Sequence, residues 1–262
     1  MNAMEMNIAD FEDRIKFKEK VEGDKDRIAV LLKFSDNEKH LESLQKGELF
    51  LNTLKLFNNL PKGMGDSYEG KCIINVDFKK PKLKKGTKTI LELSNTEDAE
   101  KHMLCACFIT FGDLKNNKIV FTPEQKTEIR KSFGKHVLII FYPSFVDNIN
   151  NCFEAQNISP IAGKVKYDDY SVNNPQRIKE YIEDSPEKYL WKDKYFENQK
   201  EFRLVILNRT SQEALPLEIN DMSNYTMLVT TEEMFSTELG FELLCYKPKI
   251  KIEASTDTNN IN

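Results

Sequence analysis

The chain has 262 residues, 40% of them hydrophobic and 31% charged, with a formal net charge of −4. That composition describes a globular chain with a heavily charged surface, long enough for one large domain or two small ones. It excludes a generic polyanion binder, and no apolar run approaches the roughly 20 residues that a bilayer-spanning helix needs. The opening "MNAMEMNIADFEDRIKF" is acidic and has no apolar signal stretch, so a cytoplasmic protein with no membrane partner is expected. Cys72, Cys105, Cys107, Cys152 and Cys245 are odd in number and scattered, the pattern of free thiols in a reducing compartment. "CAC" at 105–107 lacks the spacing of a zinc knuckle.

Residues 1–26 read as a charged N-terminal arm. "RIAVLLKF" (27–34) is a buried strand by its continuous apolar run. "SDNEKHLESLQKG" follows as a helix capped at Ser35, Asp36 or Asn37, with Leu41 and Leu44 inward and Gly47 as its stop. "ELFLNTLKLF" (48–57) alternates as a second strand, and "NNLPKGMGDSYEG" (58–70) is a Gly-, Pro- and Asn-rich loop. "KCIINVDF", "ILELSN" and "HMLCACFITFGD" are further strands, with the basic run "KKPKLKKGTK" (79–88) between the first two. "TPEQKTEIRKSFG" is a helix capped by Thr122, with Pro123 at its first position. "KHVLIIFY" and "GKVKYDDY" are strands, and "NPQRIKEYIEDSPEKYLW" is helical, interrupted before Pro186. "EFRLVIL", "LPLEIN", "SNYTMLVT" and "ELLCYKPKIKI" complete the strands, and "TEEMFSTELG" is a capped helix. This order predicts an α+β fold, one domain over 27–252, and a disordered polar tail over 253–262.

One stretch carries chemistry. In "KYFENQKEFRLVIL" (194–207), Gln199, Glu201 and Arg203 alternate into an apolar strand, so they share one face while Phe202, Leu204 and Ile206 share the other. Arg203 would orient Glu201 and hold it ionised. The same row also fits a set of structural ion pairs along a strand.

Gln199-Lys200-Glu201, at the start of a strand and after an aromatic turn, resembles the turn motif of ADP-ribosyltransferases. The strand–helix–strand layout of 27–57 is similar to the start of that fold. The resemblance implies split mixed or antiparallel sheets with flanking helices, NAD as the substrate, Glu201 as the catalytic residue and Gln199 as the acceptor-selecting one. Lys33 stands where the family offers Arg or His to grip NAD, and Asn52 and Thr53 stand where it offers Ser-Thr-Ser or Tyr. Phe57 or Tyr68 would stack on nicotinamide, and Arg203 would support the cofactor site. The chain is also similar to bacterial proteins that pair a G-D-x-x-E-G loop, here Gly65 to Gly70, with a Q-x-E-x-R strand, here Gln199 to Arg203. A toxin or antiphage effector is implied, modifying RNA, DNA or protein, with an antitoxin or chaperone as partner.

Asp66, Glu69 and Lys194 are expected substrate contacts; a loop turn capped by Asp66 is the simpler alternative for the first two. The basic run 79–88 either steers a nucleic-acid acceptor or is a solvated hairpin edge. No metal is expected: His40, His102 and His136 are scattered, and Asp168 and Asp169 point to opposite faces of a strand. Neither a nucleophile elbow nor a P-loop is present. The alternative to an enzyme is a non-catalytic module of the same fold that binds nucleic acid or protein.

Overall fold

The computed structural model describes residues 24–60, 65–76, 89–115 and 118–236. The basic run 79–88, the last strand expected over 242–252, most of the N-terminal arm and the tail lie outside the described residues.

The strands are β1 (Ile28–Ser35), β2 (Glu48–Thr53), β3 (Lys71–Val76), β4 (Thr89–Ser94), β5 (Lys101–Thr110), β6 (Leu114–Lys115), β7 (Lys118–Ile119), β8 (His136–Phe141), β9 (Pro160–Lys164), β10 (Lys166–Asp168), β11 (Trp191–Asp193), β12 (Glu201–Thr210), β13 (Leu215–Glu218) and β14 (Thr226–Thr230). Eight of them form one antiparallel sheet in the order β13-β2-β5-β1-β8-β14, with β12 between β5 and β9. The fold is therefore mixed α+β, an antiparallel sheet with several helices. β10 and β11 form a short parallel pair beside it.

Apolar periodicity sets the layers. Leu41 and Leu44 of the helix Glu38–Gln45, and Phe145, Ile149 and Phe153 of the helix Tyr142–Ala155, cover one sheet face. They pack on Leu31, Leu104, Leu138, Ile140, Phe202 and Leu204. Each such fully buried side chain stabilises the fold by about 1.5–3 kcal/mol. The opposite face carries Val30, Leu32, Val137, Ile139 and Met234, and a smaller group of Leu54, Met103, Tyr189 and Val205. The helix Tyr142–Ala155 was not among the expected elements. Its signal is the spacing of Phe145, Ile149 and Phe153 at every fourth position, after Pro143 in the first turn.

Two local departures from the expected elements shape the site. The alternating run 48–57 is strand to Thr53 alone, and Leu54–Asn58 is a short helix. Thr53 Oγ1 accepts from Leu56 N at 3.3 Å, so its hydroxyl caps that helix instead of extending the strand. Further on, Lys194–Gln199 is a 3₁₀ turn, and Lys200 adopts a left-handed conformation with φ 44° before β12 begins.

The partners of β5 matter most. Residues 101–107 pair with β12 on one flank, from Glu201↔Cys107 to Thr210↔Lys101. The other flank is divided. β1 pairs with residues 107–110 and β2 with residues 102–103, so residues 104–106 face a breach between the two strands. The Lys33 ammonium crosses that breach and donates to the Cys105 carbonyl at 2.8 Å, satisfying a group that a strand would otherwise satisfy.

Candidate functional site

A cavity of about 340 Å³ opens at this breach, lined among others by Lys33, Phe34, Phe57, Glu69, Cys105, Cys107, Phe133, Lys192, Gln199 and Glu201. That volume lies within the range of small-molecule sites. Three rings border it, and those of Phe34 and Phe133 lie 5.0 Å apart. A second cavity of about 540 Å³, on the other side of β1, shares Lys33 and Phe34 and adds Asn52, His40, Glu48 and Glu218.

The register of β12 on β5 puts Glu201 opposite Cys107 and Arg203 opposite Cys105, all on the face away from Phe202 and Leu204. Glu201 is 5% exposed and Arg203 fully buried. Arg203 Nε donates to Glu201 Oε1 at 2.6 Å, and Arg203 Nη2 to Glu69 Oε1 at 2.7 Å. Its remaining nitrogen donates to the Tyr189 and Trp191 carbonyls at 2.7 and 3.3 Å. Such a guanidinium is a fixed fork.

A second cation completes the cluster. Lys192 on β11 donates to Glu201 Oε2 at 2.5 Å and to Gln199 Oε1 at 3.0 Å, and its Nζ lies 3.5 Å from Glu69 Oε1. Nothing in the sequence singled out this lysine. β11 is three residues long, too short for an alternation pattern, and the lysine sits among many others. Its parallel pairing with Tyr167 sets it in place, and the Tyr167 hydroxyl accepts from Glu201 N at 2.8 Å.

The loop before β3 brings in the fourth member. Asp66 Oδ1 accepts from Tyr68 N at 2.9 Å and Oδ2 from Asp193 N at 3.0 Å, which ties the turn to β11. Gly70, at φ 68°, ends the turn where a Cβ would come within 2.9 Å of Leu54. Glu69 thus arrives beside Arg203, 3% exposed, and its Oε2 has no hydrogen-bond partner among the described residues.

The electrostatics separate the two carboxylates. Burial raises the proton affinity of both. In Glu201 the Arg203 and Lys192 charges and their hydrogen bonds overcome it and hold the carboxyl down at about 2. In Glu69 burial prevails over the same cations and pushes the carboxyl up. Lys192 is raised despite its burial, chiefly by Glu201 and then Glu69. Burial also pushes up the Cys105 and Cys107 thiols, the latter to about 12. An ionised carboxylate, a protonated ammonium and inert thiols therefore share one wall.

Of the residues singled out in sequence, the structure brings Lys33, Phe57, Glu69, Gln199 and Glu201 to the same cavity. Gln199 reaches it from the 3₁₀ turn, not from the strand row expected for it. Arg203 lies beneath, holding both carboxylates. Asn52 lines the second cavity, and Thr53 is buried as a helix cap. Tyr68 lies against Tyr170 and, with Asp66, lines a third cavity. Lys194 is exposed on the turn and does not line the Glu201 cavity. Asp168, weighed as a metal ligand, pairs with Arg177 at 3.1 Å. No helix among the described residues is long and apolar enough to cross a membrane. In comparison with known proteins, the chain matches no family model, no curated sequence and no solved structure.

Proposed function

We propose that the chain is an NAD-dependent mono-ADP-ribosyltransferase that takes the nicotinamide–ribose end of NAD into the Glu201 cavity. The carrying observation is a buried carboxylate, held ionised by Arg203 and Lys192, on the wall of an aromatic-lined cavity at a breach in the sheet. A fixed negative charge there lowers the barrier for a sugar carbon that becomes cationic as nicotinamide departs. Phe34, Phe57 and Phe133 offer flat surfaces to the pyridine ring. Gln199, anchored by Lys192, has its amide nitrogen left for the acceptor. The likeness of Gln199-Lys200-Glu201 to the turn motif of that enzyme family supports the same reading. The acceptor is a nucleic acid or a protein, as in a toxin or antiphage effector restrained by an antitoxin or chaperone.

The test is transfer of label from NAD to cell protein, DNA and RNA by wild type and Glu201→Gln. Wild type labels one acceptor class, and the variant, folded though less stable, loses at least about 10²-fold in rate per folded molecule.

One observation favours a second reading. Both Glu201 oxygens already have cationic partners, as in a structural ion cluster. The chain is then a non-catalytic module that binds nucleic acid or protein. Wild type labels nothing, and Glu201→Gln lowers the melting temperature by several degrees.

A further inference from the structure

Among the described residues, the titratable groups lining the Glu201 cavity are Lys33, Glu69, Cys105, Cys107, Lys192 and Glu201. Their partners sort them. Lys33 and Lys192 are ammonium donors, to the Cys105 carbonyl and to Glu201 and Gln199, and have no lone pair for a proton. The two thiols stay protonated in their buried setting. The Gln199 amide does not take up protons. Glu201 is a poor base, because Arg203 and Lys192 bond both its oxygens and favour its charged form.

Glu69 differs in one atom. Oε1 accepts from Arg203, but Oε2 has no partner among the described residues, although the side chain is 2% exposed. Buried carboxylate oxygens are nearly always satisfied, so an orphan on a residue that lines a cavity calls for an incoming donor. The groups facing Glu69 are Arg203 and Glu201 from β12, Lys192 from β11, Asp66 from its own loop, and Tyr170. With burial as the largest influence, the outcome is a more basic carboxylate than Glu201, so the two are pushed apart as an acid–base pair requires.

We propose that Glu69 is the proton acceptor of this site, its Oε2 taking the proton of the hydroxyl or water that attacks the sugar carbon. The proposal rests on the transferase reading above. A C–O bond forms at the anomeric carbon of the nicotinamide ribose. The C–N bond breaks, its electron pair leaves on the pyridine nitrogen, and nicotinamide departs neutral. The proton of the attacking O–H passes to Glu69. The acceptor class follows: an oxygen nucleophile, such as a serine, a ribose hydroxyl or water. A guanidinium acceptor, already cationic, is disfavoured beside Arg203 and Lys192.

The experiment measures nicotinamide release from NAD by wild type, Glu69→Gln, Glu69→Asp and Glu201→Gln across pH, with NAD binding measured separately. The expected result is Glu69→Gln binding NAD within about threefold of wild type. Its kcat falls about 10²-fold or more, and the acid limb of the pH profile disappears. Glu69→Asp keeps the limb, displaced, and recovers part of the rate. A Glu69→Gln enzyme that keeps the acid limb, fast or slow, overturns the proposal and leaves the Glu201 reading standing. If Glu69→Gln does not fold, an acid limb unmoved in Glu69→Asp overturns it. No release by wild type overturns the transferase reading, and this role with it.

Discussion

Two buried charge clusters lie near each other in sequence and differ in what they leave open. In one, Asp98 accepts from Lys188 at 2.8 Å on both oxygens and from the Tyr189 hydroxyl at 2.7 Å. Lys188 also reaches Asp184, whose side chain is 82% exposed. Every oxygen of Asp98 has a partner, and neither Asp98 nor Lys188 lines the Glu201 cavity. In the other, Glu69 and Glu201 share Arg203 and Lys192, one oxygen lacks a partner, and three of the four side chains line a cavity. A buried ion pair alone therefore says little about chemistry. An unsatisfied oxygen on a side chain that lines a cavity says more.

Breaking the second cluster should have the largest effect. Arg203→Met leaves two buried carboxylates with Lys192 as their one remaining shared cation, and the expected loss is about 3–5 kcal/mol in urea unfolding. A loss under 1 kcal/mol would show that the site is wetter than its geometry implies. Next comes the closed cluster. Asp98→Asn keeps the shape but takes away the charge that Lys188 and Tyr189 meet, and Asp184 offsets part of that loss. The expected cost is about 2 kcal/mol, with nicotinamide release per folded molecule unchanged. A fall in release would join the two clusters into one functional unit.

The smallest effect is the pH dependence of stability. Glu201, depressed in the fold, contributes stability that is present above its ordinary value near 4.5 and lost as pH falls toward about 2. Glu69, raised in the fold, does the reverse. Its contribution is complete below 4.5 and is lost as pH rises through its folded value. Glu69→Gln, which cannot ionise, should therefore gain on wild type as pH climbs from 4.5 to 8, while Glu201→Gln should fall behind as pH climbs from about 2 to 4.5. Guanidinium melts at pH 3, 4.5, 6 and 8 read both slopes. Parallel curves for wild type and Glu69→Gln would return Glu69 to an ordinary carboxylate.

Much of this was legible in the sequence, for identifiable reasons. The long apolar runs that became β1, β5, β8 and β12 announced the central sheet, and the alternation of Glu201 and Arg203 announced their shared face. What escaped lay in short or irregular backbone. Lys192 sits on a three-residue strand, and the helix after Thr53 begins inside an alternating run. Gln199 reaches the cavity because the left-handed Lys200 turns the chain between it and Glu201, a conformation that periodicity cannot foresee. The charge-balanced core of the site depends on residues 69, 192, 201 and 203 converging from separate segments, the first through the Asp66 turn and the second through a three-residue strand pair.

The divided flank of β5 also bears on how the molecule assembles. Its central strand needs partners from residues 28–32, 52–53 and 201–210, so its contacts span most of the described chain. Folds with such distant pairings form slowly, because long loops must close before their contacts stabilise anything. On a ribosome, the breach and Glu69 would exist as exposed, unfinished edges until β12 emerges. β13 and β14 complete the sheet only after that, and a chain cut short before residue 201 carries no Glu201 at all.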